Sequence, residues 1–588
     1  MMHMHFGVVE QILLNNNIPD RKGQNFFTQD PNFHQLLKIY LPEELYHHLV
    51  PHFEQLGADV GGYLEDLAAN ADKHPPRLQQ RDRHGCIDQK ILKHPDYVAL
   101  EKVAYVDLKL ASMSHQEGAF GWNDVIPPMA KFAMTYLFVQ AEFGLSCAVN
   151  LTDALIYTLC KYASQDLIDK YLPLLTTDDP AQLLQGAMFM TETGTGSDLS
   201  KISTIARLQD GVWHLTGDKW FCSNPDAGLA MVLAQVEGEV QGMDGLGLFL
   251  MPRVLDDGQP NHYQILRLKD KLGTRSMATG EIRLEGAAAY LLGDIGRGFQ
   301  QMAHMINLSR LSSAVRAAGL MRHAVGEALY VCKYRNAFGR ALEDLPLQRK
   351  QLLKMMLLSE QARSMMMHTT LVYNQSKIAK QTDSHAAKCV RILIPLIKFR
   401  TCRDARKVAG DAMEIRGGCG YIEDWTDPRT LRDAHQGSIW GGSSNIVALD
   451  VLRAAERDDA LPELKIYLQR LLAHPEIPAA SLKQLHRSME QVWSMFQAVI
   501  EEQNEADARK VSSALYHLCS AVVMAWEAVQ LPEHWQRLAW AHMVMRYQLS
   551  PQNPLLLDRD AGLDEAMAML IQEQSMSLAQ AMSLLPEH

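Results

Sequence analysis

The sequence predicts an α+β chain with segregated layers. An N-terminal helical domain precedes a central antiparallel β domain, a C-terminal helix bundle and an extra C-terminal helical domain. Apolar residues recur at helical spacing between Phe33 and Lys161, give way to short strand-length segments after Gly186, and resume a long helical pattern at Phe299. The expected divisions are 1–185, 186–295, 296–457 and 458–588.

Residues 1 to about 35 are polar and rich in Asn, Gln and His, so His3 and His5 read as part of an unstructured start rather than as metal ligands. The pattern then turns helical, and Pro42-Glu43-Glu44 supplies a helix start. Helical segments continue over Tyr63 to Ala71, Tyr97 to Ser112, Ala130 to Ala141 and Asp153 to Lys161. Between them, 75–96 carries Pro75, Pro76 and several charges and reads as a surface connection. His47, His48 and His52 lie within helical reach of one another but lack a His-Glu-x-x-His arrangement, so a solvated face is expected.

Strand-length segments follow at Val212 to Thr216, Ala230 to Val236, Leu246 to Met251, Tyr263 to Leu268 and Glu281 to Leu284, punctuated by Gly, Asp, Asn and Pro. Long helices are then expected over Phe299 to Arg335, Leu347 to Lys377, His385 to Ile415 and Asn445 to Arg457. Beyond Arg457, two apolar stripes read as core rather than as binding surfaces. They are Val492, Met495, Phe496, Val499 and Ile500, then Leu515, Leu518, Val522, Val523 and Trp526. This final domain is expected to pack on the bundle or on another subunit.

At 588 residues, 47% hydrophobic and 21% charged, the composition is that of a globular protein with a sizeable core. The net charge of −11 argues against a chain dominated by nucleic-acid contacts. Nine scattered cysteines without a C-x-x-C pair suit a reduced compartment better than a disulfide framework or zinc site. The start lacks the basic flank and apolar core of a signal peptide, and no apolar run is long enough to span a bilayer, so a cytoplasmic location is expected.

The chemistry concentrates around Gly186 to Ser200, GAMFMTETGTGSDLS. An apolar strand runs into the small-residue loop Gly194-Thr195-Gly196-Ser197-Asp198, where backbone N–H groups and hydroxyls can approach a planar polar ligand or a phosphate. It has neither the third glycine of a dinucleotide fingerprint nor the Gly-Lys-Ser/Thr of a P-loop. After it come Gly217-Asp218-Lys219-Trp220-Phe221-Cys222-Ser223-Asn224 and Lys269-Asp270-Lys271-Leu272-Gly273-Thr274-Arg275-Ser276. Then follow Arg335-Asn336-Ala337-Phe338-Gly339-Arg340, Gly417-Gly418-Cys419-Gly420-Tyr421 and Ser438-Ile439-Trp440-Gly441-Gly442-Ser443-Ser444-Asn445.

This ordered series, spread over roughly residues 30 to 455, resembles the acyl-CoA dehydrogenase family of flavoproteins. Within that family it is most similar to the branch of the alkylation-response protein AidB. The resemblance implies FAD held between the β domain and the C-terminal bundle. It implies that Thr191 and Ser197 contact the isoalloxazine and pyrophosphate, with Phe221 and Ser223 against the flavin. Arg335, Phe338 and Gln348 would reach the adenosine diphosphate part of FAD across a subunit interface. Gly417, Gly418 and Gly420 would let a helix end or turn come close to the cofactor. Further cofactor contacts are implied for Met190, Gly196, Glu414, Ser443 and Asn445. Arg275 and Ser276 sit where the family's loop lines the cavity. An acyl-CoA thioester as substrate, an electron-transfer flavoprotein as acceptor, and a homodimer or homotetramer follow from the same resemblance, as does a place in fatty acid metabolism.

One departure concerns the catalytic base. Removing the α-proton of a thioester while the β-hydrogen leaves as hydride needs a carboxylate at the α-carbon. Most members carry a glutamate in an IYEGTS-type segment, and that slot here is Gly441; a minority carry it before an arginine on an earlier helix, and that slot is Ser309. Neither is a carboxylate. Glu423, Asp424, Asp427 and Asp433 are near in sequence but are expected on a solvated turn.

Three readings therefore stand. One is an FAD oxidoreductase for acyl-CoA with a displaced or missing base. Another is an AidB-like flavin-binding protective protein that associates with DNA and has little dehydrogenase activity. The third is an inert scaffold subunit. Residues Leu461 to His588 hold 9 Lys+Arg against 15 Asp+Glu, a balance of 9 − 15 = −6 that weighs against DNA there. The basic group Lys398, Arg400, Arg403, Arg406 and Lys407, with Asp404 among them, is expected on a solvent-facing bundle helix.

Overall fold

Asp30 shows how local sequence sets the first helix among the described residues. Its carboxylate accepts from Phe33 N at 3.1 Å, Pro31 occupies the first turn, and the helix Pro31–Tyr40 follows. The computed structural model describes residues 18–379, 384–531, 534–551, 555 and 564–586; His3 and His5 lie outside the described residues. The chain divides into two compact units, one formed by residues up to Gly62, Pro128–Gln140 and Ser313 onward, the other by Tyr63–Pro127 and Ala141–Ser312.

The second unit carries the sheet. Its strands are β3 (Gly186–Phe189), β4 (Ile205–Gln209), β5 (Val212–Ser223), β6 (Leu229–Val236), β7 (Leu246–Pro252), β8 (Tyr263–Leu268) and β9 (Thr279–Leu292), after a separate hairpin of β1 (Arg77–Arg81) and β2 (Ile87–Leu92). The order is β3-β5-β4-β6-β7-β9-β8, and the added β5–β9 pairing closes a ring through β4, β6 and β7. Closure protects the edges of a sheet. The ladders are antiparallel except β3–β6 and β4–β6, which are parallel. β6 is buried on both faces, which is why LAMVLAQV is a near-continuous apolar run. Phe189, Leu215, Val232, Phe249, Ile282 and Leu284 fill the interior. Helices Tyr63–Lys73, Pro95–Lys102, Leu145–Tyr162 and Gln165–Thr176 complete the unit.

The surface connection expected over 75–96 contains the β1–β2 hairpin, which the sequence reading did not resolve. Its residues are largely exposed, with only Ile91 buried, so the strands lack the alternation that would reveal them.

The first unit is helical. Pro346–Ala379, His385–Arg416, Asp427–Gly437 and Ser444–Arg457 form the bundle with the later part of Gly298–Tyr334. Ala460–Leu472, Ala479–Glu501, Ala508–Gln530, Gln536–Val544, Asp564–Ile571 and Leu578–Ser583 follow in the same unit. Ala508–Gln530 packs on Pro346–Ala379 and Ser444–Arg457, and Leu515, Leu518, Val522 and Val523 are buried there as the apolar stripe predicts.

A buried ionic network stitches this unit. Arg363 Nη1 donates to Asp30 at 2.6 Å, Arg322 Nη1 to Glu573 at 2.7 Å, and Arg537 Nε to Glu527 at 2.9 Å, while Glu360 takes both Arg363 and Arg537. The flanking arginines hold the Glu360 carboxyl down at about 2 against its burial.

Candidate active site

In the β-containing unit the glycine loop is organised by Glu192. Its carboxylate accepts from Ser203 N and Oγ at 2.7 Å each, from Thr204 N at 3.0 Å and Oγ1 at 2.6 Å, and from Lys219 Nζ at 2.8 Å. Lys219 also donates to the Leu233 carbonyl at 2.8 Å, and both side chains are buried. Burial pulls the Lys219 ammonium down. It also raises Glu192, but Lys219 and the hydroxyl donors overcome this and hold the carboxyl at about 2. The sequence analysis quotes both residues inside its motifs without giving either this role. They are 27 positions apart, and only the folding of β5 against the loop brings them together.

Around that anchor some of the predicted contacts lie at the surface and others are buried. Thr191 is half-buried, and its carbonyl accepts from Trp220 N at 2.8 Å, which sets it beside Phe221. Gly196 and Ser197 are exposed, and a Cβ built on Gly194 or Gly196 meets nothing within 4 Å. Phe221 is 46% exposed, its ring nearly perpendicular to Trp220, and Lys269 Nζ lies 4.8 Å from its centroid. Ser223 is buried, paired through its backbone with Met188 and Thr279; Met190 is half-buried. Accessible hydroxyls, an open glycine loop and a half-exposed aromatic face fit a planar flavin. Ser276 turns inward instead, its Oγ donating to the buried Glu142 at 2.9 Å, while Arg275 is half-buried. Ser309, on Gly298–Tyr334, accepts from Asn150 Nδ2 at 3.0 Å.

The helical unit gathers the second set. Arg335 Nη1 donates to the Arg416 carbonyl at 3.1 Å, and Gly417, with φ of 72°, ends the helix there with its N–H on Glu414 O. Arg335, Glu414, Gly417 and Gly418 thus share one corner. Arg416 is itself fixed by Glu327, by Asp427 at 2.6 Å and by the Trp425 ring 4.6 Å away. Phe338 is at the tip of a two-residue hairpin formed by β10 (Asn336–Ala337) and β11 (Arg340–Ala341), 92% exposed with φ of 54°. Gln348 lies in the first turn of Pro346–Ala379. Gly441 and Gly442 have φ of 68° and 103°, and Lys398 donates to the Gly442 carbonyl from below. Ser443 occupies the N-cap position of the following helix without a side-chain capping bond, and Ser443 and Asn445 are exposed.

Three expectations are corrected in this unit. Asp427 and Asp433 are buried rather than on a solvated turn, Asp427 because it pairs with Arg416. Glu423 and Asp424 are exposed as expected, with Glu423 bound by Arg432 at 2.5 Å. The basic group on His385–Arg416 is not simply solvated: Lys398 and Asp404 are buried, and Arg400 donates to Asp404 at 2.6 Å. Among the described residues no cluster of His, Cys, Asp or Glu could hold a metal, and no helix is long and apolar enough to cross a membrane.

Family models match along the chain: the adaptive response protein AidB N-terminal domain over 16–179, the acyl-CoA dehydrogenase middle domain over 187–287, and the acyl-CoA dehydrogenase C-terminal domain over 296–456. AidB of Escherichia coli K12 is 30% identical over 509 residues, covering 85% of this chain and 89% of the relative. Acyl-CoA dehydrogenase family member 11 of Caenorhabditis elegans is 27% identical over 529 residues, covering 87% and 84%. The crystal structure of Caenorhabditis elegans ACDH-11 in complex with C11-CoA superposes with a TM-score of 0.80 at 26% identity, covering 86% of this chain and 88% of that one. With helical, β and helical layers in this order and these matches across them, the chain belongs to the acyl-CoA dehydrogenase family and carries the AidB type of N-terminal domain.

Proposed function

We propose that this protein binds FAD and an acyl-CoA thioester and performs α,β-dehydrogenation slowly, because its base positions are empty of carboxylate. One contrast supports the reading. Thr191, Ser197 and Phe221 stay accessible around the pinned Glu192–Lys219 pair, whereas Gly441 and Ser309 offer no strong base. FAD, when bound, supplies the acceptor for the β-hydrogen as hydride. The hydroxyls of Thr191 and Ser197 would hold its polar groups, Phe221 would shield it from water, and Arg335, reaching across a subunit interface, would bind its pyrophosphate. Ser309, hydrogen-bonded to Asn150, cannot take the α-proton near neutral pH.

The C11-CoA complex of ACDH-11 supports an acyl-CoA ligand. The exposed Phe338 hairpin supports a second subunit completing the cofactor site, in a homodimer or homotetramer, with an electron-transfer flavoprotein as acceptor. A cytoplasmic location suits this chemistry. The DNA-associated reading gains little from His385–Arg416, where Arg400 and Lys407 are neutralised by Asp404 and Asp411.

The test is an anaerobic titration of the purified protein with acyl-CoAs of graded chain length, following the visible flavin band. Slow bleaching by one chain length is expected. A colourless protein that takes up no added FAD would sink the proposal.

A further inference from the structure

The last turns of Leu145–Tyr162 and the first turns of Gly298–Tyr334 bring together basic and aromatic side chains that the dehydrogenase reading does not use. Lys161 Nζ donates to His304 Nε2 at 3.0 Å. The same nitrogen lies 5.3 Å from the Tyr162 ring and 5.8 Å from the Tyr157 ring. The His304 ring is 5.9 Å from Tyr162 and 6.2 Å from Tyr157, centroid to centroid. Gly293 N donates to the Tyr162 carbonyl at 3.1 Å, fastening the loop that carries Arg297 to the end of the first helix. Arg297 is near enough to Tyr162 for its charge to oppose the rise that burial imposes on the phenol.

Charge balance sets this group apart. Several lysines of the same unit find carboxylates: Lys93 has Glu101 and Asp226, Lys109 has Asp178, and Lys170 has Asp256. Lys161 is bonded to an imidazole instead. Among the described residues no carboxylate pairs with Lys161, His304 or Arg297, and burial pulls the Lys161 ammonium down. Lys161 and Arg297 are exposed while His304 is half-buried, so the uncompensated charge faces solvent at a rim of two tyrosine rings.

We infer that Lys161, His304 and Arg297 form a binding site for the oxyanion of a phosphate group, bordered by Tyr157 and Tyr162. A lysine gives a point charge, an arginine a fork onto two oxygens, and a histidine a further donor once it takes a proton. Burial, reinforced by the Lys161 charge, holds His304 at about 4, so the ring is neutral near pH 7. A dianion placed between the groups reverses that effect, and binding then draws a proton onto His304.

The test is isothermal titration calorimetry of the flavin-loaded full-length protein at pH 6.0, in two buffers of different ionisation enthalpy. Sulfate is the probe, because it keeps both charges near that pH and any proton taken up comes from the protein. Saturable binding with uptake approaching one proton is expected. His304→Gln should bind without the uptake, and Lys161→Met or Arg297→Gln should weaken binding about tenfold or more. Arg297 lies on a loop, so its variant keeps the test valid if a helix variant unfolds. ADP is titrated alongside: tighter binding than sulfate assigns the site to a phosphate ester stacked on the tyrosines, and equal binding assigns it to a free oxyanion. No saturable sulfate heat, or binding unchanged in Lys161→Met and Arg297→Gln, overturns the inference. Sulfate binding reports this site whatever the outcome of acyl-CoA titration.

Discussion

Lys219 Nζ stands 2.8 Å from Glu192 Oε1 with both side chains buried, and this pair ties β5 to the loop that carries Gly194, Gly196 and Ser197. Removing one partner of a buried pair strands a charge, so Lys219→Met should cost about 3–5 kcal/mol in urea unfolding. Glu192→Gln with Lys219→Met should recover part of that loss. A single variant within about 0.5 kcal/mol of wild type would mean that the serine and threonine donors hold the loop unaided.

The same carboxylate predicts an acid limit. Glu192 is held at about 2 in the folded protein against an ordinary glutamate value near 4.5. A depressed acid contributes stability that is complete above its unfolded value and is lost as pH falls from there through the folded value. His368, neutral between Tyr40 and Tyr467 and depressed by burial to about 3, begins to cost stability earlier, below its ordinary value of 6.5, because the unfolded ring takes a proton first. The unfolding free energy in sulfate- and phosphate-free buffer should therefore fall from about pH 6.5 downward, with a slope of up to about 1.4 kcal/mol per pH unit from this histidine, read by urea unfolding at each pH. His368→Gln should flatten the first part of the profile. An unchanged slope would refute the assignment.

Restoring a carboxylate should restore chemistry. Ser309→Glu places one on a regular helix, and Gly441→Glu places one at a backbone φ of 68°, where a side chain costs roughly 1–2 kcal/mol. Either variant should bleach the flavin faster with acyl-CoA, by roughly 10² to 10⁴-fold, the usual worth of a general base. Ser309→Glu should do so with the smaller loss of melting temperature. Equal rates in wild type and both variants would point to a base outside these positions.

Phe338 is 92% exposed at its hairpin tip, so Phe338→Ala should leave the unfolding midpoint almost unchanged. Under the cross-subunit reading it should nonetheless lower the FAD bound per chain after gel filtration and weaken self-association. Full FAD content and an unchanged assembly would remove the hairpin from the cofactor site.

Glu573 binds Arg322 at 2.7 Å in the interior of the helical unit. Glu573→Gln should destabilise by about 3–5 kcal/mol, and a chain ending at Arg457 should be insoluble, since Arg322 loses one buried carboxylate and Tyr40 and Ser364 lose Glu527. Differential scanning calorimetry and a solubility assay check both. A soluble, cooperatively melting truncated chain would show that the bundle needs no such support.

Much of the fold was legible because its signals are local. Tyr263 to Leu268 is an isolated apolar segment between turn residues, and its expected bounds coincide with β8. The helix expected over His385 to Ile415 closes where Gly417 permits a positive φ. What escaped depends on residues distant in sequence. Asp427 looks like a turn acid until Arg416 folds beside it, and Asp404 like a solvated one until Arg400 bonds it in the interior. Nothing local in Glu192 announces that five donors will converge on it. Among the proposed cofactor residues, Arg335, Glu414, Gly417 and Gly418 share a corner that their sequence spacing alone does not imply.

The helical unit is interrupted twice by the other unit, and Asn32 bonds Glu573 across 541 residues. On a ribosome adding roughly 5–20 residues per second, Asn32 waits about half a minute to two minutes for the Glu573 carboxylate, and Asp30 waits a shorter time for the arginines Arg322 and Arg363. The segments making up the β-containing unit are all synthesised before that time. Nascent chains should therefore acquire protease resistance in the barrel first, and the exposed arginines and apolar faces of the unfinished bundle are where a holding chaperone would be engaged.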